Sequence, residues 1–125
     1  MNNFRWNMTE EDYKRMQRAS KEKKVPSDNF YGAVAIGSIL FEWVGCDDCD
    51  DCDYYYVNCF EAGVEAGYGN LADGTPYNCI DHWLPYVSLD LSFDEFKKTV
   101  EKEIKSMDGF QEKINKDVEP MWYGF

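Results

Sequence analysis

The sequence predicts an α+β fold: one mostly antiparallel meander sheet of four to six strands, an amphipathic helix over about 92–107 packed on one face, and an N-terminal helix over about 9–24. Three observations predict it. Runs rich in aromatic and β-branched residues fill the middle of the chain, separated by glycine- and aspartate-rich breaks. Apolar residues at helical spacing occur only in the flanking segments. A chain of 125 residues with 8 Phe, 9 Tyr and 4 Trp has enough ring area for a core of its own; a domain of this size hides about two-thirds of its extended surface. We therefore expect a single domain spanning 1–125.

Thr9 precedes Glu10, Glu11 and Asp12, an N-cap followed by acids in the first turn, and Lys21, Lys23 and Lys24 suit the opposite end. Val25-Pro26 stops the helix. Its apolar stripe, Tyr13 and Met16, is thin, so the helix lies on the surface. From Phe30 to Val44 the pattern is that of one bent strand or two short ones, broken by Gly32 and Gly37. A strand over Tyr54 to Glu61 follows, and Cys-Asp-Asp-Cys-Asp-Asp-Cys-Asp (46–53) forms the tip of the hairpin between them. A second hairpin is expected from Val64 to Asn70 and Tyr77 to His82, turning at Asp73-Gly74. Val87, Leu89 and Leu91 alternate with Ser88, Asp90 and Ser92 and predict another strand. Ser92 and Glu95 make a capping box, and Phe93, Phe96, Val100, Ile104 and Met107 follow as a continuous stripe. A short helical piece over Phe110 to Lys116 precedes the aromatic tail.

The charge is uneven. The net charge is −11, and residues 26–96 carry fourteen Asp or Glu with no Lys or Arg. Two arrangements account for this. The basic flanks cover and partly neutralise an acidic sheet, or the middle of the chain presents an anionic face to a cationic partner. Both disfavour direct binding of nucleic acid or an anionic membrane, which needs the opposite sign. Residues 1–17 contain no apolar run resembling a signal peptide, and no stretch reaches membrane-spanning length, so the expected location is cytoplasmic with reduced thiols.

Cys46-x2-Cys49-x2-Cys52 has the spacing of thiolate metal ligands. An iron–sulfur cluster would need Cys59 as a fourth ligand. A zinc site would join two of these thiols to Cys79-x2-His82. Against both, Asp47, Asp48, Asp50, Asp51 and Asp53 crowd the thiols, and an extended strand points Cys79 and His82 to opposite faces. The repeated tripeptide also fits a solvated loop tip, and its aspartates offer oxygen ligands to calcium without the EF-hand pattern. The expected cofactor is none, with zinc as the alternative. The single histidine limits nucleophilic catalysis to a Cys79/His82 dyad, with no elbow, P-loop or dinucleotide motif to support it. The chain reads as a non-enzyme.

What remains is binding to a protein with a basic surface, in unknown oligomeric state. DNA carries one charge per about 1.7 Å of axis, so fourteen carboxylates match about 24 Å of duplex. An inhibitor presenting a DNA-like anionic face to a nucleic-acid-binding protein is the leading expectation. In size and charge only, the chain resembles the small acidic inhibitors that mobile elements direct against restriction and CRISPR enzymes. The expected contact residues are the five loop aspartates, Glu61, Glu65 and an aromatic anchor of Trp122, Tyr123 and Phe125, a tail that otherwise folds back on its own core.

Overall fold

The computed structural model describes residues 3–46, 54–82 and 84–122. Strands β1 (Arg5–Asn7), β2 (Phe30–Ile36), β3 (Ile39–Gly45), β4 (Tyr55–Ala62) and β5 (Tyr77–Ile80) form one antiparallel sheet in the order β1-β2-β3-β4-β5. Helices α1 (Glu10–Glu22), α2 (Phe93–Lys105) and α3 (Gln111–Ile114) complete the fold. The α+β class and the meander are thus as the sequence predicts. β1 is an addition, since three residues are too few to show a period.

Local chemistry explains the boundaries. Thr9 caps α1 reciprocally with Asp12: its hydroxyl accepts from the Asp12 amide at 3.1 Å while its own amide donates to the carboxylate at 2.9 Å. Those hydrogen bonds, with Arg15 at 3.2 Å, outweigh burial and hold the Asp12 carboxyl below its ordinary range. Ser92 caps α2 through its hydroxyl alone, which accepts from the Glu95 amide at 3.2 Å and donates to the Glu95 carboxylate at 3.0 Å, so the reciprocal capping box expected there does not form. Gly37 makes the β2–β3 turn at φ +58, and a Cβ there would collide with the Lys113 and Ile114 carbonyls of α3. Ser38 donates its amide to that same Lys113 carbonyl at 3.1 Å, so the turn and the short helix fix each other.

The register divides the side chains between two faces. Trp6, Val34, Phe41, Trp43, Tyr55 and Cys59 point to the side covered by helices, where Tyr13 and Met16 of α1 and Phe96, Val100 and Ile104 of α2 meet them. Phe96 is the hub, with ring centroids 4.7 Å from Tyr13, 5.8 Å from Trp43 and 6.3 Å from Trp6. The opposite face carries Ala33, Ala35, Leu40 and Ala62, packed with Phe30, Phe60, Leu71, Tyr77 and Trp122. The C-terminal segment reaches that face: Arg5 donates to the Pro120 carbonyl at 2.8 Å, and Trp122 is buried.

Three further sequence expectations are corrected. Residues 87–91 are not a strand. Val87, Leu89 and Leu91 reach the core from a loop, and α1 side chains take up the loop carbonyls: Gln17 donates to Leu89 at 2.8 Å and Tyr13 to Leu91 at 2.7 Å. Residues 64–70 do not form the first arm of a hairpin, because β4 itself pairs with β5, Ala62 facing Tyr77, and only the Asn70–Pro76 bridge lies beyond. The turn at Asp73-Gly74 does form, with Gly74 at φ +87. Trp122 is no exposed anchor; it packs on Tyr77 with ring centroids 6.5 Å apart. Among the described residues, no helix is long and apolar enough to cross a membrane.

Candidate interaction surface

β4 is the strand around which the candidate surface is built, and its hydrogen-bond phase follows from three contacts. Cys46 donates to the Tyr54 carbonyl at 3.2 Å and Ala62 to that of Ser38 at 2.8 Å, so even-numbered residues of β4 bond to β3. Gly63 donates to the Pro76 carbonyl at 2.7 Å, so odd-numbered residues bond towards β5. The β4–β5 register runs only from Ala62–Tyr77 to Cys59–Ile80. After Ile80 the chain leaves the ladder and continues to Pro85, which has no amide to donate. The Val57 amide and carbonyl therefore point outward, past the end of β5.

A groove of about 690 Å³ lies at this point. Trp43, Tyr55 and Val57 contribute to it from the sheet, and residues 84–87 line its far side. Tyr68 and Tyr86, 59% and 67% exposed, stand in its wall with Asp81, and none of its lining residues is Lys or Arg. Tyr55 belongs to the helix-side core, while Tyr56 is exposed on the opposite face.

The carboxylates of the middle segment fall into two sets. Glu61 is buried and ion-paired at 3.2 Å with Lys113, so it is covered by α3 and is not the partner-facing group expected of it. Asp28 lies 3.9 Å from Arg15, and Asp94 lies 3.9 Å from Lys97. Glu65, Asp73 and Asp81 are exposed, and none takes part in an ion pair among the described residues. Glu42 accepts from Asn58 at 3.0 Å on the face away from the helices. Asp90 and Glu95, beside Tyr13 on the helix side, are likewise exposed and outside any ion pair among the described residues, so uncompensated acids occur on both sides, and Glu65, Asp73 and Asp81 are the set on the β5 side.

The thiols lie apart from any such constellation. Cys59 faces the helix-side core in register with Ile80, whereas Cys79 pairs with Phe60 on the other face. Burial, with smaller contributions from Cys79 and Glu61, pushes the Cys59 thiol well above its ordinary range and keeps it protonated. His82 packs on Phe110 and Phe41, with ring centroids 4.4 and 6.4 Å away, on the side opposite Cys79. The strand pleat thus separates the Cys79/His82 pair. Cys46 is half-buried at the end of β3, and among the described residues no three His, Cys, Asp or Glu side chains gather as metal ligands. Cys49, Cys52, the aspartates 47, 48, 50, 51 and 53, and Tyr123 and Phe125 lie outside the described residues.

Sequence reasoning missed the groove. Pro85, five residues past the end of β5, is a local sign that the chain does not go on as a strand there, but that β5 has four residues against the eight of β4 shows only in the fold. No protein-family model, curated protein or solved structure matches this chain.

Proposed function

We propose that this protein is a non-catalytic, acidic interaction module that presents the β5 side of its sheet to a basic protein surface of the kind that otherwise holds nucleic acid. The carrying observation is that Glu65, Asp73 and Asp81 remain exposed without ion-pair partners among the described residues, while Glu61, Asp28 and Asp94 are matched by cations. Uncompensated charge of one sign speeds encounter with an opposite surface and selects against partners of like charge. The density of acids in residues 26–96, with no intervening base, supports imitation of a phosphate backbone.

The test is competition. The protein is added to a panel of purified basic DNA-binding proteins and nucleases on labelled duplex, at low and at high salt. Displacement that weakens with salt supports the reading, and the Glu65→Gln, Asp73→Asn, Asp81→Asn triple variant then competes several-fold less well. An Asp28→Asn, Asp94→Asn control, which removes acids that lie beside Arg15 and Lys97, competes as the parent does. Failure to displace duplex from every panel member at low salt refutes the reading.

A further inference from the structure

We propose that the groove beside β4 receives an extended segment of the partner as an added strand, paired to Val57, with apolar residues alternating with lysine or arginine. This rests on the acidic-module reading above and specifies how that module binds. An added strand satisfies outward backbone groups and draws specificity from alternate side chains. Val57 offers both an amide and a carbonyl on one edge, and the stretch Tyr55–Asn58 beyond β5 spans about 13 Å at strand rise. The pleat fixes the chemistry of the guest. Side chains on the Val57 side meet Trp43, Leu84 and Val87, which are apolar. Those on the other side lie beside Asn58 and Asp81, which also line the groove. An apolar–cationic alternation matches both.

Charge selects this guest over a second copy. Two copies pairing at this edge bring −11 against −11, and the groove has no Lys or Arg to relieve it. β4 also follows directly on five aspartates within residues 47–53, which favour a cationic neighbour by sequence adjacency alone.

The probe is the peptide acetyl-Lys-Val-Lys-Val-Lys-Val-amide, titrated by calorimetry and by amide spectra of the labelled protein. In an antiparallel hydrogen-bonded pair, the guest residue opposite Val57 has its side chain on the same face, so it is a valine, and valine amides point at β4. N-methylation at the valines is therefore expected to weaken binding about tenfold or more, while N-methylation at the lysines leaves it within a few-fold. Val57→Pro, which removes the outward donor without touching the β3 ladder, is expected to abolish binding and to leave the competition with duplex measurable. Because the peptide pair tests pairing on the unaltered protein, a failure of Val57→Pro to fold does not rescue or sink the idea.

Equal binding of both methylated peptides overturns strand addition and leaves the acidic module standing as a purely electrostatic binder. Equal binding of acetyl-Glu-Val-Glu-Val-Glu-Val-amide overturns the cationic guest. Concentration-dependent dimerisation that Val57→Pro removes assigns the edge to a second copy and overturns the proposal. No binding of any peptide overturns strand addition, and only the additional failure of duplex competition removes the acidic module with it.

Discussion

On the helix side of the sheet, Phe96 is completely buried among Trp6, Tyr13 and Trp43, and large rings fill the space between two layers. On the opposite side, small residues of the same strands, Ala33 and Ala35, are just as buried, yet there a C-terminal segment with one indole supplies the cover. The helix side gains its stability from interlocking ring area; the other side relies on close approach and leaves room for Glu42 and Asn58. Among the described residues, the Tyr31 hydroxyl on one face and the Trp122 indole nitrogen on the other are buried without a hydrogen-bond partner. The proposed binding surface belongs to neither face alone: it lies at the β4 edge, where Trp43, Tyr55 and Val57 of the helix-side core reach the groove and Tyr56 and Asn58 line it from the other face.

Removing the hub tests the inequality most severely. Phe96→Ala is expected to cost about 3–5 kcal/mol in urea denaturation, the range for deleting a buried ring. Gly37→Ala comes next: left-handed backbone costs a non-glycine residue about 1–2 kcal/mol, and the methyl group must also displace the Lys113 carbonyl, so the midpoint falls further than strain alone requires. Trp122→Ala also deletes a buried ring, but one covered from a single side, and is expected at the low end of the same range, about 3 kcal/mol. A loss equal to that of Phe96→Ala would erase the contrast between the faces.

Alkaline titration sharpens the contrast through the helix side. Burial pushes the Tyr13 phenol from 10.0 up to about 12. Its neutral form is favoured in the fold, so its contribution is complete below pH 10.0 and is lost as the pH rises towards about 12. Thermal melts across that window should therefore fall steeply, and less steeply in Tyr13→Phe; Tyr31, also shifted upward by burial, retains part of the slope. The smallest effect is expected from Tyr31→Phe. Deleting an unpartnered buried hydroxyl leaves stability unchanged or raises it by about 1 kcal/mol, and a clear loss would show that the hydroxyl has a partner after all.

Much of the scaffold was legible because it is local. Thr9 and Ser92 announce their helices through caps that need only three following residues, and the stripe from Phe93 to Met107 names its own buried face. Gly37 and Gly74 mark turns through backbone freedom that other residues lack. The misread segments share a different cause. Val87, Leu89 and Leu91 alternate as a strand does, but the Leu89 and Leu91 carbonyls are taken by Gln17 and Tyr13, more than seventy positions earlier in the chain. The Asp73-Gly74 turn points to residues 64–70 as the first arm of a hairpin, whereas β5 pairs with β4, already fixed on its other edge by β3.

The sequence by itself determined the α+β class, the helix ends, the β3–β4 hairpin and a middle segment without a single basic residue, since each depends on short-range chemistry or on counting. Only the tertiary structure decided which acids keep their charge, that Lys113 covers Glu61, that Trp122 is used internally, and that β4 outlasts β5 beside a groove. Those outcomes depend on which side of the sheet the helices take, a matter of long-range packing that no local pattern encodes.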